Sequence, residues 1–124
     1  MSHISKIECQ ICVNEQTYPI LKQICSEMGA TVCTDNTVIG VLENEKLSQG
    51  FVVKYKGTSI GVTADERGRL TIHADTFRAS NIVSEFRTEL EMRYKTKAVT
   101  SALRQLGYTP KTKIEKQKVI IMGV

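Results

Sequence analysis

Hydrophobic and polar residues alternate through several short stretches of the chain, and these stretches predict β-strands. The first runs over Ile4–Val13, where apolar residues at every second position alternate with charged and polar ones. A period of two is that of a strand with one buried face. The same alternation predicts strands at Gly50–Lys56, Ser59–Ala64 and Arg69–Asp75, and a less regular one at Ala30–Leu42.

Turn-forming residues separate the predicted strands. Tight hairpin connections are predicted at Gly57 and at Asp65–Gly68, because glycine adopts positive φ without steric cost. The polar residues Thr34–Asn36 predict a turn or bulge within the Ala30–Leu42 strand, and the polar stretch Glu43–Gln49 predicts a loop.

Two stretches carry the period of an α-helix. The first follows Asn14, a helix-capping residue type, and ends at Gly29, with Pro19 placed in the first turn where its missing N–H does least harm. The second runs from Ser80 to Tyr108 with no Pro and no glycine before Gly107. At 1.5 Å per residue this helix spans roughly 40 Å.

The apolar stripe of the long helix thins between Glu91 and Lys97, so this part is expected to leave the core or to bend. Beyond it, Thr112–Ile114 and Val119–Met122 predict a terminal hairpin. The predicted order is β-α-β-β-β-β-α-β-β. It indicates a single α+β domain over residues 1–124, with both helices on one face of a mainly antiparallel sheet.

Composition narrows the class of protein. Hydrophobic residues make up 41% of the 124 residues, which suffices for one folded core. No apolar run approaches the ~18 residues of a membrane span, and Met1–Glu8 lacks the pattern of a cleaved signal. We therefore expect a cytoplasmic protein with reduced cysteines. The net charge of +4 suits anionic partners but is equally compatible with plain solubility.

Five short signatures stand in a fixed order along the chain, at strand starts, strand ends and positions of the long helix. They are Met1-Ser2-His3, Ser59-Ile60-Gly61-Val62, Ala74-Asp75, Arg93-Tyr94 and Gly107-Tyr108. In this order and spacing the chain resembles the hypothetical chloroplast reading frame thirty-five family, small proteins of cyanobacteria, algal plastids and other bacteria. The family has no established activity, so the resemblance implies no catalytic role. It implies AAA+ ATPase systems of the MoxR kind as a class of partner.

Cys9 and Cys12 form a C-x-x-C pair within the first predicted strand. An offset of three residues places the two sulfur atoms on opposite strand faces, where they neither bridge readily nor share a metal. A zinc site would need two further ligands, for which Cys25, Cys33 and His3 are the candidates. We expect buried or unreactive thiols, with no bound metal or cofactor.

His73 and Asp75 lie two residues apart on one predicted strand face, about 7 Å apart along the chain. Such a pair can hold a metal or orient a general base, and Asp65 or Glu66 from the adjacent turn would add a carboxylate. The alternative, which we favour, is an exposed polar strand face on which Asp75 helps to start the long helix. Thr71 is expected on this outward face as well.

Basic residues gather towards the end of the chain. Those of the tail are Lys111, Lys113, Lys116 and Lys118. Together with cations of the long helix they can form a strip that contacts phosphates. Glutamates that interleave with the helical cations favour a solvated helix with i,i+4 ion pairs instead.

These patterns favour a binding module over an enzyme, and no catalytic residue is assigned. The leading hypothesis is a protein-interaction or adaptor module that binds another protein or a second copy of itself through a helix face at Arg93, Tyr94 and Lys97. The first alternative is a nucleic-acid-binding domain that uses the lysine-rich tail. The second is a metal-binding or enzymatic protein that uses His73, Asp75 and the cysteines.

Overall fold

The structure is a computed structural model that describes residues 4–77, 79–107, 111–115 and 118–122. A 3-10 turn at Glu15–Thr17 leads into the first of two α-helices, α1 Tyr18–Glu27 and α2 Ser80–Gln105. The strands are β1 Ile4–Cys12, β2 Thr31–Val32, β3 Thr37–Ile39, β4 Asn44–Lys46, β5 Phe51–Tyr55, β6 Thr58–Ala64, β7 Arg69–Asp75, β8 Lys111–Glu115 and β9 Lys118–Met122.

A five-stranded sheet in the order β1-β7-β6-β5-β2 forms the centre of the fold. Every neighbouring pair is antiparallel. The turns between β5 and β6 and between β6 and β7 contain Gly57 and Gly68, both with positive φ, as their positions in the sequence predicted. The predicted α+β class and the antiparallel sheet are confirmed.

Both helices pack on one face of this sheet and close the main core. α1 contributes Leu21, Ile24 and Cys25, and α2 contributes three further buried residues. The strands contribute the alternate side chains that face the helices, such as Phe51 of β5 and Ile72 of β7. The predicted packing of both helices on one face is therefore confirmed, because each strand directs every second side chain to that face.

α1 begins with the capping arrangement that Asn14 predicted, although Asn14 caps the 3-10 turn that precedes the helix. The Asn14 side chain accepts a hydrogen bond from the Gln16 N–H, and the Thr17 hydroxyl oxygen accepts one from the Asn14 N–H. Pro19 lies in the first turn of α1, and Gly29 follows the helix with positive φ. These local signals place the helix correctly because capping and turn chemistry depend on near neighbours.

The opposite face of the sheet is covered by a hairpin of β3 and β4. Its apolar residues Val38 and Leu47 meet Val52 of β5 in a second, smaller core. Backbone N–H groups of the hairpin also donate to side chains of the sheet: Ile39 N to Ser59 Oγ at 2.9 Å, and Val41 N to the Asp75 carboxylate at 2.8 Å. The sheet is thus buried on both faces over part of its area.

Two predictions about this region are wrong. The expected strand at Ala30–Leu42 is divided into β2 and β3, which belong to different sheets. The expected loop at Glu43–Gln49 contains β4. Six strands therefore separate the helices, where four were predicted. Both errors concern the covering hairpin, whose strands are three residues long and have no clear period of two.

α2 has 26 residues, which corresponds to about 39 Å. Its buried residues are Val83, Phe86 and Leu90, all in the first half, so the predicted thinning of the apolar stripe is confirmed. None of the helices in the described part of the chain is long and apolar enough to cross a bilayer.

β8 and β9 pair as the predicted terminal hairpin, and the β9 backbone runs beside α2. The predictions for His3, Tyr108 and Lys116 fall outside the described residues.

Candidate functional site

Polar side chains are buried where β6 and β7 lie under the β3–β4 hairpin. Thr63, Thr71, His73 and Asp75 are each 6 to 7% exposed. The prediction of an exposed polar strand face at Thr71, His73 and Asp75 is therefore wrong, although His73 and Asp75 do share a face. The strand alternation was correct, but the hairpin covers the face that solvent was expected to occupy.

His73 bridges a hydroxyl group and a carboxylate. Its Nε2 lies 2.8 Å from Thr63 Oγ1, and its Nδ1 lies 2.8 Å from Glu45 Oε1. A carboxylate only accepts hydrogen bonds, so Nδ1 must carry the proton shared with Glu45. In a neutral imidazole Nε2 is then an acceptor, and the Thr63 hydroxyl donates to it. We call these three residues the relay.

Asp75 does not belong to the relay. Its Oδ1 accepts a hydrogen bond from the Phe77 N–H, and its Oδ2 accepts one from the Val41 N–H, at 2.9 and 2.8 Å. Asp75 therefore organises the turn before α2 and holds the covering hairpin. The N-cap position of α2 is Ala79, which makes no side-chain capping bond.

The carboxylates expected from the neighbouring turn, Asp65 and Glu66, line a cavity together with His73, but the side chains that bond to the imidazole are Thr63 and Glu45. Asp65 Oδ1 accepts hydrogen bonds from the N–H groups of Arg67 and Arg69, at 2.8 and 2.9 Å, and so shapes the β6–β7 turn. The carboxylate that reaches His73 is Glu45, from a segment whose sequence predicted a loop. The histidine was found by its type and strand position, but its true partners come from another strand and another layer.

A cavity of about 600 Å³ opens beside the relay. Its wall includes both Thr63 and His73, together with charged side chains of both signs: Lys6, Lys46 and Arg67, and Glu8, Glu45, Asp65 and Glu66. Only Leu47 and Ala64 among its lining residues are apolar. The cavity therefore suits a small polar molecule.

The sequence patterns did not identify Thr63 and Glu45 as site residues. The small and polar residues Ser59, Gly61 and Thr63 alternate along β6, and this alternation was a usable signal for a second polar strand face beside that of His73. Glu45 offered no such signal, because its pairing with His73 depends on how the hairpin folds over the sheet.

The four cysteines are free, and Cys9 and Cys12 face opposite sides of β1 as predicted: Cys9 is buried and Cys12 exposed. Burial raises the thiol pKa of Cys9 to about 12, with a smaller contribution from the Glu91 carboxylate, and burial alone raises that of Cys25 to about 12. These thiols are therefore protonated and unreactive at neutral pH. In the described part of the chain, no group of three or more His, Cys, Asp and Glu is arranged to hold a metal ion.

The predicted interaction face lies where α2 leaves the sheet. Tyr94 is half buried and packs against the main core. Arg93 pairs with Glu89 at 2.9 Å, and Lys97 pairs with Glu27 of α1 at 3.6 Å. All three side chains are thus engaged within the molecule, and the exposed part of α2 begins beyond them.

The second half of α2 carries an apolar stripe at Val99, Ala102, Leu103 and Leu106. We call it the outer stripe. Its spacing of i, i+3, i+4 and i+7 is that of one helix face. Val99 is 45% and Leu106 is 74% exposed. At roughly 100° per residue, Val99 lies on the side of the helix opposite Leu90, so the outer stripe turns away from the sheet.

Charge is distributed unevenly between the two parts of the chain. Residues 93–124, here called the basic end, contain eight Lys and Arg and one Glu, a formal charge of +7. Residues 1–92 contain nine Lys and Arg and twelve Asp and Glu, a formal charge of −3. Of the predicted phosphate-contacting lysines, Lys111 and Lys113 lie in β8 and Lys118 begins β9.

Comparisons with protein-family models, curated proteins and solved structures found no match for this chain. The observations that bear on function are therefore the relay with its cavity and the outer stripe with the basic end.

Proposed function

We propose that this protein is an interaction module that docks the second half of α2 into a groove of another protein. The observation that carries the proposal is the outer stripe, four apolar positions on one helix face that turn away from the core. A helix that buries its apolar residues at i, i+3, i+4 and i+7 in a groove is a recurrent mode of protein recognition.

The partner is a protein with an apolar groove and an acidic rim. The basic end, which includes the outer stripe in its sequence, has a formal charge of +7, which complements a negative surface. Two copies that met stripe against stripe would bring two such charges together, so electrostatic repulsion disfavours this form of self-association. The resemblance to the chloroplast reading frame family suggests AAA+ ATPases as the first partners to test.

The docking helix can be tested with two neutral substitutions. We expect Val99→Ser combined with Leu106→Ser to weaken the complex at least about 100-fold, because two apolar contacts of about 1.5–3 kcal/mol each are lost. Val41→Ser is the matched control, since Val41 is 66% exposed but lies in the turn of the β3–β4 hairpin. Native mass spectrometry of the protein isolated from its host identifies the partner, and titration of the purified pair measures the dissociation constant.

Cross-linking locates the contact independently of affinity. Cross-links from the partner to Lys95 and Lys97, the lysines nearest to the outer stripe in sequence, are expected. A complex that survives both serine substitutions, or one that cross-links only to the β3–β4 hairpin, would overturn the proposal.

Nucleic acid is the second candidate partner, because the same positive charge suits phosphates. Here the serine substitutions, which leave the charge unchanged, should have no effect on binding. Replacing the four tail lysines by Gln should reduce both the affinity for a short RNA or DNA duplex and its dependence on salt. The two sets of variants thus distinguish protein docking from phosphate binding.

A further inference from the structure

We propose that the relay is a nucleophilic site, in which Thr63 attacks a small activated ester or thioester and His73 acts as its general base. The proposal is independent of the docking function, because the relay lies under the β3–β4 hairpin and involves no residue of α2. It starts from the geometry of three side chains contributed by β4, β6 and β7.

The hydrogen bonds of the relay have the direction that base catalysis requires. Glu45 accepts from Nδ1–H, which leaves Nε2 as the acceptor facing the Thr63 hydroxyl at 2.8 Å. A hydroxyl group is a weak nucleophile unless an adjacent base takes its proton, and a third group usually orients that base. Thr63, His73 and Glu45 stand in these three roles, with Glu45 as a positioning residue.

The surroundings of the relay set the class of substrate. The cavity of about 600 Å³ includes Thr63 and His73 in its wall, so a molecule bound there lies against the residue that carries the hydroxyl. Because the wall is mainly polar and charged, it suits a short polar acyl group rather than a long hydrocarbon chain. Lys6 lies directly opposite His73 on β1, and its Nζ pairs with Glu45 Oε2 at 4.0 Å, so its positive charge stands beside the carboxylate of the relay.

The reaction proceeds in two balanced steps. Thr63 Oγ1 forms a bond to the carbonyl carbon while its proton passes to His73 Nε2, and the leaving alcohol or thiol departs with that proton. Water then attacks the acyl-threonine ester, His73 again takes and returns a proton, and a carboxylic acid is released. No oxidant or further reactant is needed.

A purely structural role is the alternative, since the same hydrogen bonds join the covering hairpin to the sheet. The two roles differ in the reactivity of Thr63. A hydroxyl activated by His73 reacts with a fluorophosphonate: a bond forms from Oγ1 to phosphorus, fluoride leaves, and the proton passes through Nε2. A hydroxyl that only supports the fold does not react.

The experiment is to treat the full chain with a small fluorophosphonate and locate the adduct by peptide mass spectrometry. We expect an adduct at position 63 in the wild type and in Thr63→Ser, and none at this position in Thr63→Val. His73→Gln should lower the rate at least about 100-fold, the usual contribution of a general base. Glu45→Gln should lower it as well, whereas Glu45→Asp should recover part of the rate.

Thermal unfolding of each variant shows whether the fold is kept. Should His73→Gln fail to fold, the comparison of wild type, Thr63→Ser and Thr63→Val decides, because Val matches Thr in size and Ser lacks only its methyl group. The proposal is overturned if neither wild type nor Thr63→Ser is labelled at position 63, or if a folded His73→Gln variant is labelled at the wild-type rate.

Discussion

Gly61 is the residue that lets the covering hairpin approach the sheet. It lies in the middle of β6, where glycine normally weakens a strand. A Cβ atom built on Gly61 would lie 2.7 Å from Val38 Cγ2 and 3.0 Å from Leu47 Cδ1. These are the two apolar side chains by which the hairpin enters the second core. The absence of a side chain at position 61 therefore sets how closely the hairpin packs over the relay.

We expect Gly61→Ala to lower the free energy of unfolding by about 1–3 kcal/mol, the usual cost of overpacking a core. Urea denaturation measures this change. In a Val38→Ala background the cost should become smaller, because the shortened side chain makes room for the new methyl group. An alanine variant as stable as the wild type would show that the hairpin adjusts freely.

At the scale of the element, the two halves of α2 differ in burial and in role. Val83, Phe86 and Leu90 anchor its first half in the core, where Phe86 also lies with its ring centroid 5.3 Å from that of Tyr55. Ion pairs of Arg87 with Glu91 and of Glu89 with Arg93 follow the helix surface at i,i+4. The fully buried anchor of α2 therefore lies in its first half, and the exposed residues Val99 and Leu106 of the outer stripe lie in its second half.

Substitutions in the two halves should differ sharply in their effect on stability. Phe86→Ala is expected to lower the free energy of unfolding by about 3–5 kcal/mol, because it leaves a cavity in the core. Val99→Ala should change the free energy of unfolding by no more than about 0.5 kcal/mol, as is usual at exposed positions. Chemical denaturation followed by circular dichroism compares the two. A large decrease in the free energy of unfolding for Val99→Ala would mean that the outer stripe belongs to the core.

At the scale of the whole molecule, four groups in the described part of the chain, Cys9, Cys25, Tyr55 and Lys56, have a raised pKa, which favours the protonated form. Burial raises the thiol pKa of Cys9 and Cys25 from 9.0 to about 12. Burial and the charge of Glu85 raise the pKa of Tyr55, and a hydrogen bond to Glu85 raises that of Lys56. The native state thus holds protons that the unfolded chain would release.

Stability should accordingly fall in alkali. The contribution of the two thiols is fully present below pH 9, the pKa in the unfolded chain, and is lost as the pH rises towards 12. Urea unfolding at a series of pH values from 8 to 11 tests this expectation. Cys9→Ala with Cys25→Ala should reduce the slope, whereas Cys12→Ala, at an exposed position, should leave it unchanged.

Much of the fold followed from local patterns. The alternation in β1, β6 and β7 predicted those strands, and the uninterrupted helical stretch after Asp75 predicted α2 within a few residues. Asn14, Pro19 and Gly29 marked the limits of the first helix. Such features are visible in the sequence because periodicity, capping and turn chemistry act between residues that are close along the chain.

The sequence by itself determined the α+β class, the main strands, both helices and the shared strand face of His73 and Asp75. Only the tertiary structure decided that a hairpin covers this face, that Glu45 and Thr63 rather than Asp75 are the partners of His73, and that the outer stripe turns away from the core. These outcomes depend on contacts between distant segments, 28 residues apart for Glu45 and His73. The periodicity of either segment alone carries no information about which residue of the other it meets.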